Sequence, residues 1–354
     1  MSPNGDTSTP LQILDPAGSL APGAEAGLTD DQLREGFRLM LLSRMFDERA
    51  FTLQRQGRLG TFSPTRGQEA TSTGVSLALR PETDWLVPQY REFPALIRHG
   101  WALRDVVLYY RGHPHGWPMP DRLLNVQIAL AAQLPHATGL AWGLAHQGSD
   151  AVVVAFCGDG GSSEGDFHEA LNFAGVLNAP VVFVLQNNQW AISTPVSLQT
   201  AASSLADRAA GYGIAGRCVD GNDLLAVYAT AREAVERARS GGGPTLIEAR
   251  TFRLGPHNTI DEPSRYVAPE RLEEAEREEP LIRVRAFMRE RGLLSEEDER
   301  AQLEEIGHTI DTAVAEADAY PPPDPAEVFE HVYATNPARL TAQRERAVAA
   351  RSVS

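Results

Sequence analysis

Ala151-Val152-Val153-Val154-Ala155-Phe156-Cys157 runs without interruption into Gly158-Asp159-Gly160-Gly161-Ser162-Ser163-Glu164-Gly165. A continuous apolar run that does not alternate with polar residues is what a strand buried on both faces requires, and such strands occur in parallel sheets covered by helices on each side. The glycine-rich loop then opens a helix near Asp166. Strand, glycine loop and helix in that order let backbone amides and a helix N-terminus face a phosphate group. By itself a Gly-Asp-Gly is a weak signal, because a tight turn with nothing bound is the commoner meaning.

Working outward, further short apolar runs at Trp85 to Val87, Val181 to Gln186, Arg217 to Val219 and Thr245 to Thr251 alternate with helical stretches at Gln68 to Leu79, Gln133 to His146, Asp166 to Leu177 and Asn222 to Arg239. This alternation predicts an α/β fold with a doubly wound, mostly parallel sheet over residues 29–270. Thr29, followed by Asp30 and Asp31, predicts the start of a long helix through Leu33, Phe37, Met40, Leu41 and Met45. Residues 1–28, rich in Pro, Gly, Ser and Ala, read as an extended N-terminal arm in which only Leu11 to Leu14 is apolar enough to dock. Residues 271–354 read as a helical C-terminal extension, with segments at Pro280 to Gly292, Ser295 to Ala319 and Asp324 to Ala334 and a break at Pro321-Pro322-Pro323.

Composition narrows the function. With 32 Lys and Arg against 47 Asp and Glu, the net charge of -15 opposes a sequence-independent grip on nucleic acid. No apolar run approaches the roughly 20 residues of a membrane helix, so no membrane span is expected. No secretory or transit segment is readable near Met1, and Cys157 and Cys218 stand far apart, outside any metal-like spacing; both read as core residues of a cytoplasmic protein.

The strand after Pro180 ends in Asn187-Asn188-Gln189-Trp190. Asp159 and Asn188 lie 29 positions apart, yet a strand, helix, strand unit returns the chain to the neighbouring strand end, so the two should meet in space. A carboxylate, an amide oxygen and a backbone carbonyl just beyond, at Trp190, are hard oxygen ligands suited to Mg²⁺, which completes its octahedron with phosphate oxygens and water. A Rossmann dinucleotide site is opposed by Ser163 at the third glycine position and by Gln186-Asn187-Asn188 where an acidic ribose ligand would stand.

Gly158-Asp159-Gly160 followed 27 residues later by Asn187-Asn188 matches the thiamin diphosphate motif, and GDGGSSEGDFHEALNFAGVLNAPVVFVLQNNQWAIS resembles the alpha subunits of the E1 components of 2-oxo acid dehydrogenase complexes. Arg55 to Ala70, Val87 to Gly100 and Arg253 to Tyr266 resemble the same family in the same order, over about residues 30–335. The resemblance implies thiamin diphosphate and Mg²⁺ as cofactors, with Asp159, Asn188 and Trp190 on the metal. It further implies Gln89, Tyr90, Arg91, Ile128, Leu130, Gly158, Gly160 and Gly161 about the cofactor and His257 as the catalytic histidine of an active-site loop. For Tyr90 and Arg91 the plainer meaning is a surface loop; for Leu130, core packing; for His257, a solvent-side histidine.

The family's relatives further imply an E1 beta subunit in an α2β2 assembly, a lipoyl-bearing E2 that takes the acyl group, and a 2-oxo acid substrate. Gln56 to Gly60 and Arg111 to Gly116 favour pyruvate; the short loop from His257 to Pro263 leans toward a branched-chain substrate, 3-methyl-2-oxobutanoate. A non-catalytic binding subunit of the same fold is the third reading. Asn258 stands where some relatives carry a regulated Ser, and Val267 where many carry Arg, a contact that Arg265 would have to replace. His113 and His115 are too poorly spaced for zinc and are expected to shape the substrate entrance or to do nothing.

Overall fold

A computed structural model describes residue 7, residues 9–330 and residues 332–351. Met1 to Asp6 of the expected arm, and Ser8, lie outside the described residues. Helix α1 (Asp30–Arg55) begins where the sequence places it: Thr29 accepts the N–H of Gln32 while the Gln32 side chain accepts the N–H of Thr29, a reciprocal capping box. After α2 (Glu69–Leu77), strand β1 (Trp85–Val87) leads into α3 (Phe93–Arg98) and α4 (Leu103–Tyr110). Next come α5 (Gln133–His146), β2 (Val153–Gly158), α6 (Gly165–Leu177) and β3 (Val181–Asn187), then a small ribbon of β4 (Trp190–Ala191) and β5 (Thr194–Pro195). The chain continues through α7 (Arg208–Gly211), β6 (Ala215–Asp220), α8 (Leu224–Arg239) and β7 (Thr245–Arg250) to α9 (Pro269–Arg277), α10 (Pro280–Glu290), α11 (Glu296–Asp318) and α12 (Ala338–Arg351).

The large sheet has the order β1-β2-β3-β7-β6 and every pairing in it is parallel. Its strands are apolar throughout because both faces are covered. Val154, Phe156, Val182 and Val184 face a core shared with α1, α2, α8 and α10; Val153, Ala155, Cys157, Val181, Phe183 and Leu185 face a second core under α5 and α6. Both cysteines are buried and free, as their spacing suggested. Since every strand runs the same way, all carboxyl ends lie on one edge, where ligand sites of open α/β sheets form.

The arm docks where its apolar residues allow. Leu11 bridges Val219 on edge strand β6, and Leu14 is fully buried. Asp223 holds it there: Oδ2 accepts the N–H groups of Ile13 and Leu14 at 2.6 Å each, while Oδ1 caps α8 through Leu225 and Ala226. The C-terminal helices α10 and α11 contribute Leu281, Val284, Phe287, Ile306, Ile310 and Val314 to the first core. The helix expected at Asp324 to Ala334 is not formed. Among its described residues that segment forms only a three-residue turn, Glu327–Phe329: Asp324 and Pro325 suit a helix start, but Val328, Val332 and Tyr333 stay exposed, so no apolar face is buried to propagate a helix. Helix α12, inside the expected helical extension but outside its named segments, begins directly after Pro337. His331 lies outside the described residues.

Candidate active site

One cavity of about 630 Å³ opens at the carboxyl ends of β2 and β3, and every site residue expected from sequence lines it: Gln89, Tyr90, Arg91, Ile128, Leu130, Gly158, Asp159, Gly160, Gly161, Asn188, Trp190 and His257. The strand pairing brings Gly158 opposite Gln186, so Asp159 and Asn188 leave adjacent strand ends. The Nε2 of Gln199 donates to Asp159 Oδ2 at 2.9 Å, and the backbone N–H of Asn188, bonded to the carbonyl of Gln186 at 3.0 Å, lies near the same carboxylate. Burial nonetheless pushes its pKa up and outweighs the nearby charge of Arg253, which forms no ion pair with it. A buried carboxylate in no ion pair, beside an amide, fits a divalent cation. Among the described residues no group of three or more His, Cys, Asp or Glu could hold a metal, so an ion here would rest on this mixed oxygen set.

The backbone of the loop is as specific as its side chains. A Cβ at Gly160 would stand 2.7 Å from the Cβ of Ala191, and one at Gly161 2.4 Å from the Sγ of Cys157, so neither position takes a side chain without the loop moving. Asn188 donates through Nδ2 to Gln68 at 3.1 Å and accepts the N–H of Trp190 through Oδ1 at 3.2 Å. The carbonyl of Trp190, the expected third ligand, accepts only a long 3.3 Å contact from Arg253. Ile128 and Leu130 lie on a loop tied to Gln89 by the N–H of Gln127 at 2.8 Å, and they are 65 % and 38 % exposed. Leu130 is therefore not a core residue.

Arg91 is buried, not a surface-loop residue. Its guanidinium donates to the carbonyls of Pro64 at 2.8 Å and His257 at 2.6 Å, and to His257 Nδ1 at 2.8 Å. Because an arginine can only donate, His257 Nδ1 accepts and the ring proton sits on Nε2. Burial, with Arg91 and Arg253 nearby, lowers the His257 pKa to about 4. The imidazole is neutral at physiological pH. Its backbone N–H is held by Asp261 Oδ2 at 2.6 Å, which also takes the hydroxyl of Tyr266. Between about pH 6.5 and 4 the unfolded histidine binds a proton that the folded one refuses, so its contribution to stability is present above 6.5 and is lost as pH falls toward 4. An NMR titration of histidine-labelled protein should place the His257 midpoint near 4; a midpoint near 6.5 would contradict the contact with Arg91.

Several lining residues escaped the sequence reading: Glu92, Gln186, Gln199 and Gln68. Gln68, Glu92 and Gln186 stand inside stretches that carry the family resemblance, but Gln199 gave no signal. Two expectations are corrected. His113 and His115 are not among the residues lining the cavity; His115 binds Tyr320 Oη and Glu327 Oε2, each at 3.0 Å, and His113 binds the carbonyl of Pro321 at 3.0 Å, clasping the segment after α11. Their pairing follows the Pro-rich break and not the site. Arg265 faces solvent and pairs with Glu262, so it does not replace the contact missing at Val267, which is buried beside Phe252 and Leu254.

The sequence profile of the family described as the dehydrogenase E1 component matches residues 37–326. The chain belongs to that family. It is 46 % identical over 339 residues to the pyruvate dehydrogenase E1 component subunit alpha of Bacillus subtilis (strain 168), covering 95 % of this chain and 91 % of that one. It is 44 % identical to the protein of that name from Bacillus cereus and 43 % to that from Staphylococcus aureus (strain Mu50 / ATCC 700699), with the same coverage. The resemblance drawn from the glycine loop and the Asn-Asn strand end thus holds over nearly the whole E1-type chain, and the Rossmann alternative falls away.

Proposed function

We propose that this chain is the alpha subunit of a pyruvate dehydrogenase E1, binding thiamin diphosphate through Mg²⁺ at Asp159, Asn188 and the Trp190 carbonyl. The observation that carries the cofactor reading is the buried carboxylate of Asp159, in no ion pair, beside Asn188 at adjoining strand ends. Gly160 and Gly161 would leave room for a pyrophosphate, and Gln89, Tyr90 and Arg91 would hold its far side, Arg91 offering a planar guanidinium suited to paired phosphate oxygens. Leu130, on the cavity wall, would support the cofactor's bend. Thiamin diphosphate, when bound, supplies the electron sink for decarboxylation. The chain's own residues would position it and hold His257, neutral at physiological pH, as a proton carrier.

The exposed apolar side chains of Ile128, Leu130 and Ile192 on the cavity wall support a site completed by a beta subunit, in an α2β2 assembly that passes the acyl group to a lipoyl-bearing E2. No helix among the described residues is long and apolar enough to cross a membrane, which is compatible with work in the cytoplasm. Pyruvate is favoured because the relatives named above are pyruvate enzymes. Steady-state rates of the reconstituted tetramer should show a higher kcat/KM for pyruvate than for 3-methyl-2-oxobutanoate, and the reverse order would replace pyruvate with a branched-chain substrate.

A further inference from the structure

Glu92 lies on the cavity wall, 1 % exposed, and neutral donors surround its carboxyl. Oε2 accepts the backbone N–H groups of Gln89 and Arg91, both at 3.0 Å, and Oε1 accepts Nε2 of Gln186 at 2.6 Å. These donors come from two walls of the site. Gln89 and Arg91 flank Tyr90 in the loop after β1, whereas Gln186 is the penultimate residue of β3, two residues before Asn188. Gln89 extends the connection, since its Oε1 accepts the N–H of Gly158 at 2.9 Å and its carbonyl accepts the N–H of Gln127 at 2.8 Å. A single carboxyl therefore ties the β1 loop to β3 and, through Gln89, to the end of β2 and to the loop carrying Ile128 and Leu130.

A second feature concerns the proton. Gln186 Oε1 is buried without a partner. If the amide turned over, that oxygen would face Glu92, an arrangement that requires Glu92 to donate and hence to be protonated. The titratable groups that face Glu92 are Arg91 and Tyr90 from its own loop, Tyr110 from α4 and Cys157 from β2. Burial pushes the tyrosine and cysteine values upward, leaving Arg91 as the one charged neighbour among these at neutral pH. Burial also raises Glu92 to about 7, so both of its forms are accessible. An anion that engages Arg91 would tip the carboxyl toward the protonated form.

We infer that Glu92 is a positioning residue for the diphosphate end of the site: it fixes the Gln89 to Arg91 loop against the end of β3 and takes up a proton when the anion binds. The inference rests on the thiamin diphosphate reading above. Mg²⁺-dependent binding of thiamin diphosphate to the alpha-beta complex, followed by calorimetry from pH 6 to 8.5, tests it with the wild type, Glu92→Ala and Glu92→Gln. Glu92→Ala strands three donors and should weaken binding about 10- to 100-fold. Glu92→Gln keeps the shape and can donate to Gln186 Oε1, so it should bind within a few-fold of wild type at pH 6.5. Wild-type Kd should rise above pH 7 by up to about tenfold per unit, and Glu92→Gln should lose that rise. Undiminished binding by Glu92→Ala, or a wild-type pH dependence in Glu92→Gln, would overturn the inference; if Glu92→Ala does not fold, the Glu92→Gln profile decides alone. Absence of binding by the wild type at every pH would instead overturn the cofactor reading itself.

Discussion

Replacing Asp159 by alanine is expected to weaken Mg²⁺-dependent thiamin diphosphate binding by on the order of a thousandfold, with turnover falling in step, since a metal that stabilises charge is worth several kcal/mol and each 1.4 kcal/mol is tenfold. The effect should be large because nothing nearby can take over. Gln199 and the Asn188 N–H are donors, and the other liganding atoms are neutral oxygens. Folding should respond in the opposite sense. Burial of the Asp159 carboxylate outweighs the help it receives from Arg253 and so costs stability, and its removal should leave the melting temperature of the cofactor-free protein unchanged or higher. Calorimetric binding and thermal unfolding of the same variant separate the two effects; a fall in both together would mean that Asp159 holds up the loop instead of an ion.

The isolated chain should turn over at less than about one thousandth of the rate of the alpha-beta complex, because preorganised electrostatic groups act at full strength only where water is excluded, and losing even one such group costs about 10²- to 10³-fold. Here the cavity wall carries Ile128, which is 65 % exposed, and neighbouring Ile192 is 56 % exposed. A closed catalytic site does not leave such side chains in water. Decarboxylase assays with and without added beta subunit measure the ratio, and robust activity from the isolated chain would contradict a site shared between unlike subunits.

The layers of the fold were legible because both faces of the sheet are covered: unbroken runs such as Val153 to Cys157 and Val181 to Leu185 have only one comfortable environment. The long helix was legible through its cap at Thr29. Less could be read where local signals conflict. Helices α3 and α4 are short, and α4 carries Val106, Val107, Tyr109 and Tyr110, which also suit strands; the stretch after Pro323 has a fitting helix start but leaves Val328, Val332 and Tyr333 exposed, with no apolar face to bury. In the site, the residues at strand ends were readable because parallel topology brings consecutive strand ends together. The hydrogen-bonding network behind them was not. Glu92, Gln199 and the contact of Arg91 with His257 depend on loops that meet only after folding, over separations that no periodicity encodes. His113 and His115 illustrate the converse, an eye-catching pair whose partners, Tyr320 and Glu327, lie some two hundred residues away.

The most direct measurement is a crystal structure of the alpha-beta complex grown with thiamin diphosphate and Mn²⁺ in place of Mg²⁺, using the anomalous signal to locate the ion. The expected result is one peak within about 2.0 to 2.3 Å of an Asp159 carboxylate oxygen, Asn188 Oδ1 and the Trp190 carbonyl, with diphosphate oxygens completing the octahedron. A peak bound elsewhere, or a diphosphate seated in the cavity with no ion touching Asp159 and Asn188, would contradict the metal anchor at the ends of β2 and β3.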